Sequence, residues 1–278
     1  MKKNKTNVDD VKEVEKVNNK QTINVKLIVC TMLKTLLCVF VVIGFAFVSM
    51  SVVMPKTMSK FCDAVGLTET SYLINKRVYE RSSSNENLYN VIQLAINKDE
   101  YEDVEHYIKI MVNGDHFADF ASSIDEKTKQ IMGEKYSVCL NSYEDYLMMH
   151  LTEALYKNGK LVEARMYALD SSLSNFNEMY SFVMCIDSDE ELTNKQKKNQ
   201  LLLIDQYNVL AKLDSLITQY EADEKAEDIN VYGKMSLIEQ QIRLYEIKYI
   251  FATYIEGSGA TDSILAKIQE ISTRFKSL

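Results

Sequence analysis

A chain of 278 residues, 46% hydrophobic and 26% charged, is long enough for one or two domains and too apolar for a disordered polypeptide. One proline and eight glycines leave few residues for hairpins and sheet corners, so long helices joined by short polar loops are expected. Five cysteines without a C-x-x-C pair exclude a small disulfide scaffold and zinc-finger chemistry, and buried free thiols are expected instead.

The chain opens with a polar, Lys- and Asn-rich tail. Residues 1–34 carry eight lysines against four acids. From Leu36 to Met54 no residue is charged, and nineteen helical residues span about 28 Å, the thickness of a hydrocarbon core. Lys34 before the run and Pro55 after it give the segment natural ends. One transmembrane helix over 35–55, embedded in the lipid bilayer, is the expectation. A cleaved leader competes with it, but the polar stretch before the apolar run is long for one, and so is the run itself. Only Lys56 and Lys60 follow closely, so the lysine bias places the tail 1–34 in the cytoplasm and the remainder outside the cell membrane. The sole N-x-S/T sequon, Asn4-Lys5-Thr6, falls on the cytoplasmic side. Residues 35–278 hold 24 basic and 36 acidic side chains, and a formal charge near −12 repels nucleic acid and anionic headgroups.

Beyond the anchor, 56–84 reads as a juxtamembrane segment with a helix around Tyr72 to Tyr79, ended by Ser82-Ser83-Ser84-Asn85. Residues 85–190 show helical periodicity. Leu88, Val91, Ile92, Ala95 and Ile96 form one apolar stripe, and Tyr101, Val104, Ile108, Met111 and Val112 form the returning one after a turn at Asn97 to Glu100. The plan recurs at Tyr143 to Tyr156, with a turn at Lys157 to Lys160 and a second helix from Leu161 to Leu173.

The segment 147–173, LMMHLTEALYKNGKLVEARMYALDSSL, resembles a tetratricopeptide repeat, a two-helix unit of 34 residues. Leu151, Ala154, Tyr156, Gly159, Leu161, Ala164 and Tyr167 fall at that family's small and large apolar positions. Residues 88–112 look like a poorer copy, with Val104 in place of the small Ala and Asp99 in place of Gly159. The resemblance implies recognition of a peptide or helix. In the family, one side of the first helix lines a concave surface. Here Tyr146, Met149, Glu153, Tyr156 and Lys157 run along that side, with Tyr89, Gln93 and Asn97 in similar places in the other copy. These eight are the candidate partner-binding residues, because exposed Tyr and Met give large, adaptable contacts. The alternative is that the segment between the two hairpins packs over this face.

Residues 191–278 read as a helical hairpin and a final helix. Leu203, Leu210, Leu213, Ile217 and Tyr220 follow a heptad-like spacing, an acidic loop spans Glu221 to Asp228, and Ile238, Ile242, Tyr245, Tyr249, Ala252 and Ile255 form the returning stripe. Gly257-Ser258-Gly259 ends that helix, and Thr261 or Asp262 is positioned to cap the last.

The usual phosphate-cradle, hydrolase, zinc-protease and calcium-loop signatures do not occur. Asp115-His116-x-x-Asp119 and the pair His150 and Glu153 are too commonplace to mark a metal or acid-base site. The expectation is therefore an all-α, single-pass membrane protein without cofactor or enzymatic activity. Its extracytoplasmic bundle or short solenoid of antiparallel hairpins would bind an unknown protein or peptide. A structural subunit of an envelope assembly, associating through the anchor and the C-terminal hairpin, is the alternative, and an enzyme whose catalytic residues are assembled across the fold is the third reading.

Overall fold

In a computed structural model of the chain, the described residues are 25–133, 142–171, 175–256 and 258–278. The basic tail at 1–24, Leu173 and Gly257, named above, lie outside them, as does Cys139, one of the five cysteines. Every regular element among the described residues is a helix. The chain divides into a unit of residues 1–58 and a unit of residues 59–278.

The first unit is dominated by α1 (Val25–Val53). Its stretch Ile28–Val53 has a mean hydropathy of 2.8 and is long and apolar enough to cross a membrane. Twenty-six residues rise about 39 Å, more than a hydrocarbon core. The helix starts before the expected Leu36 because residues 27–33 are also uncharged and mostly apolar, so Lys34 stands within it rather than at its edge. Pro55 opens α2 (Pro55–Ala64) at the first helical position, where a missing N–H costs nothing.

In the second unit, the juxtamembrane segment folds as the remainder of α2 and as α3 (Thr68–Arg81), longer than the helix expected around Tyr72 to Tyr79. Then come α4 (Asn85–Asn97), α5 (Tyr101–Val112), α6 (Phe117–Met132), α7 (Tyr143–Lys157), α8 (Leu161–Ser171) and α9 (Asn177–Ser188). α4 pairs with α5 and α7 with α8, as their apolar stripes require. Across the hairpins, α5 packs on α7, and α9 packs on both α7 and α8. Val91, Ile92, Ile108, Leu147, Leu155, Met179, Phe182 and Ile186 are fully buried in the shared core. Ala154 and Ala164, also fully buried, carry the small side chains expected where helices approach closely.

Both hairpins close with the same turn. Lys160 N–H donates to the Leu155 carbonyl at 2.8 Å, and Glu100 N–H donates to the Ala95 carbonyl at 3.1 Å. In each, the residue before that donor is left-handed: Gly159 at φ +77° and Asp99 at φ +55°. A side chain there is strained, and glycine is not. The Asp99→Gly variant is therefore expected to gain about 0.5–1 kcal/mol, and Gly159→Ala to lose about 1 kcal/mol. Thermal melts of the two variants check this, and shifts of the same sign would contradict it. No neighbour lies within 4 Å of a Cβ built on Gly159, so its cost comes from the backbone alone.

The C-terminal third departs from the heptad reading. α10 (Asn194–Asp205) ends before Leu210, and Asn208 at φ +59° turns the chain into α11 (Val209–Asp223). The apolar spacing continues across this break, which periodicity alone cannot reveal. α11 reaches three residues into the expected acidic loop. α12 (Val231–Phe251) passes through a π-turn at Ala252–Glu256, and α13 (Ser258–Ser277) already includes Thr261 and Asp262, so neither is its cap. α12 packs on α11, α13 and α9.

Candidate functional site

The candidate face belongs to α7, whose start is fixed by its own sequence. Ser142 Oγ accepts from Asp145 N–H at 3.1 Å, and Asp145 Oδ2 accepts from Ser142 N–H at 3.0 Å, a reciprocal cap. Asp125 of α6 accepts from Tyr143 N–H at 2.9 Å, tying the intervening helix to this end.

The eight candidate residues do not form one surface. At the α4 end, α6 packs over the face: the Tyr89 ring meets Phe120 at 6.2 Å and Tyr143 at 5.6 Å. Tyr146 donates its hydroxyl to Gln93 Oε1 at 3.1 Å and stacks edge-on against His150 at 4.7 Å. Tyr143, buried between the Tyr89 and Tyr146 rings, links them, so Tyr89, Gln93 and Tyr146 belong to one aromatic and polar cluster, each only partly exposed. Asn97 is exposed at the end of α4. Tyr156 is corrected most sharply. Expected as an exposed tyrosine, it is 6% exposed, with its ring 5.7 Å from Phe182 of α9 and its hydroxyl donating to Asp189 Oδ2 at 2.9 Å. α9 covers it.

Met149, Glu153 and Lys157 do come together. They line an open depression of about 280 Å³ with Tyr101 of α5 and Tyr180, Met184 and Ser188 of α9. The rim is held from α12: the Arg243 guanidinium lies over the Tyr180 ring at 5.6 Å, its Nη1 is 4.0 Å from Met149 Sδ, and Tyr180 donates its hydroxyl to Glu246 at 2.9 Å. His150 Nδ1 sits 3.6 Å from Glu153 Oε2, the pairing expected from their spacing. Cys185 also borders the depression, but burial pushes its thiol up to about 12 and Glu153 adds to the shift, so almost no thiolate forms near neutrality.

A separate polar cluster, itself lining an open hollow, holds α5 to the α7–α8 turn. Glu105 is buried and accepts from Lys160, from Asn158 Nδ2 at 2.8 Å and from Lys109 at 2.9 Å. Burial works against its charge, yet these donors hold its carboxyl down to about 2. Asn158 also donates to the Tyr101 carbonyl at 3.2 Å, which fixes the wall that Tyr101 gives the depression.

No family model matches the chain, and no curated protein or solved structure is significantly similar to it. Tyr101, Tyr180, Met184 and Arg243 are the lining and rim residues that sequence reasoning missed. Tyr180 and Met184 are four apart on α9, a helical step that was available to find. Nothing local links Arg243 to them. Among the described residues, no group of three or more His, Cys, Asp or Glu side chains gathers to hold a metal ion.

Proposed function

We propose that the chain is a bitopic membrane protein whose helical hairpins bind another protein or peptide outside the cytoplasm, through the depression between α7 and α9. The observation that carries the reading is that Met149, Glu153 and Lys157 share this open hollow with Tyr101, Tyr180 and Met184. Two methionines and two tyrosines give adaptable apolar contact, and Glu153 and Lys157 supply both signs of charge. Its volume lies just below the usual range for small-molecule pockets and suits one or two side chains of a peptide.

The α7–α8 hairpin, with α9 stacked on both of its helices, supports the tetratricopeptide-like reading, in which the first helix of the next unit packs on the preceding pair. The apolar Ile28–Val53 helix and the lysines before it support one crossing with the C-terminal unit outside.

The test is a photo-crosslinker placed at Lys157 and delivered by a membrane-impermeant reagent to intact cells making the full chain. A discrete adduct is expected, and it is expected to vanish in Met149→Glu, Met184→Glu chains that melt like wild type. No labelling from outside would reject the topology. An adduct that survives the double substitution would reject the depression as the binding site.

A further inference from the structure

The first fifteen residues of the second unit leave large apolar side chains in the open. Phe61, Val65, Leu67 and Leu73 are 53%, 52%, 46% and 47% exposed, whereas the core residues of α4, α5, α7 and α9 are almost wholly covered. The inner side of α2 is already engaged. Ser59 Oγ lies 2.8 Å from Ser71 Oγ and accepts from Asn75 Nδ2 at 2.6 Å, so α3 occupies that side, and Cys62 beside it is buried. Phe61 of α2 and Val65, the residue just after the helix, whose N–H donates to the Phe61 carbonyl at 3.1 Å, form a separate stripe. Lys60 and Lys56 are exposed about 100° and about 140° around the helix from Phe61, with the exposed Asp63 on the same flank, so this flank holds two lysines against one acid.

We propose that this stripe of α2 lies in the interface of a phospholipid bilayer, with Phe61 and Val65 at the boundary of headgroups and acyl chains and Lys56 and Lys60 among the headgroup phosphates. The inference rests on the reading of α1 as the membrane span. Three features select lipid over a protein partner. Phe61 follows Val53 by eight residues, which places it within about 12 Å of the span's end if the chain stays helical and within about 28 Å at full extension. The bilayer surface is therefore within reach of this stripe whatever path the chain takes between them. The local charge complements phosphate, although residues 35–278 as a whole carry an excess of acid that keeps the remaining surface off anionic lipid. Finally, an exposed apolar sector and an exposed lysine flank on one short helix are the pattern of helices that lie in the interface plane.

The chain has no tryptophan, so single substitutions report cleanly. The full chain would be reconstituted in phosphatidylcholine–phosphatidylglycerol vesicles, with and without brominated acyl chains, as Phe45→Trp, Phe61→Trp, Val65→Trp and Met166→Trp variants. All four positions are exposed in the structure, so the substitutions are compatible with folding. The expected result is blue-shifted emission that loses most of its intensity to bromolipid at Phe45, Phe61 and Val65, and red, unquenched emission at Met166. Quenching at Phe45 but not at Phe61 or Val65 overturns the inference and leaves the anchor intact. Blue-shifted but unquenched emission at Phe61 also overturns it, since protein would then cover the stripe. No quenching at Phe45 overturns the anchor and the inference together, and quenching at Met166 would mean general adsorption instead of a specific interfacial helix.

Discussion

Replacing Tyr156 with alanine is expected to cost about 3–5 kcal/mol and to lower the melting temperature by about 10 °C. The side chain is 6% exposed and packs edge-on against Phe182, which is itself fully buried. Truncation removes this aromatic contact and leaves a cavity between α7 and α9 that the two helices cannot fully close. Tyr156→Phe separates the two contributions. It keeps the ring and loses only the 2.9 Å bond to Asp189, so a loss of about 1 kcal/mol is expected. Circular dichroism melts of the full chain in detergent provide the measurement. If the alanine variant melted like wild type, α9 would not cover this residue and a wider open groove would return to consideration. The same result governs how binding experiments are designed: Tyr156 variants test the fold, while Met149, Glu153 and Lys157 test the surface.

The second large effect is expected at Glu178, in the first turn of α9. Glu178 is 8% exposed, and its Oε2 finds no hydrogen-bond partner among the described residues. Burial, reinforced by the nearby carboxylates of Asp145 and Asp170, pushes its acid up to about 7, despite hydrogen bonds from its own backbone and Ser171 that favour the charged form. The folded-state value lies above the unfolded one of 4.5. Deprotonation therefore opposes folding: the stability is fully present below the unfolded value and is lost as pH rises toward 7. Glu178→Gln is expected to add about 2–3 kcal/mol at about pH 8 and almost nothing at about pH 4. Melting curves at the two pH values check this, and a gain of equal size at both would show that the charge is not responsible. Glu105 has the opposite sign. Its depressed value means that its contribution is retained above 4.5 and lost as pH falls toward 2, so the fold is most stable in mildly acidic solution as far as these two groups decide it.

Much of the architecture was legible in the chain because it is encoded locally. The apolar run before Pro55 announces a helix long enough for a membrane, and stripes such as Leu88, Val91, Ile92 and Ala95 specify α4 through the period of the helix itself. The turns at Asn97 to Glu100 and Lys157 to Lys160 were visible as polar gaps between stripes. Asp99 in place of Gly159, which marked the first hairpin as the poorer copy, adopts the same left-handed turn, since Asp tolerates that backbone better than most residues. α9 left a weaker trace: it follows a short polar stretch and is buried on several sides, so Met179, Phe182, Val183, Cys185 and Ile186 show no clean one-sided stripe.

That helix is where sequence reasoning about the site ran out. Tyr146, Met149, Glu153, Tyr156 and Lys157 do lie along one side of α7, as their spacing dictates. Spacing cannot state what packs against that side. α6 and α9 arrive from 18 or more residues away and divide the stripe, covering Tyr156 and leaving Met149, Glu153 and Lys157 beside a hollow. By itself, then, the sequence determined the helices, their apolar faces and a span fit for a membrane, because each depends on neighbours three or four residues away. Which tyrosines are core, which carboxyl is stranded and where a surface stays open were decided only by tertiary packing, because burial and electrostatic shifts depend on atoms that the chain brings together from distant positions.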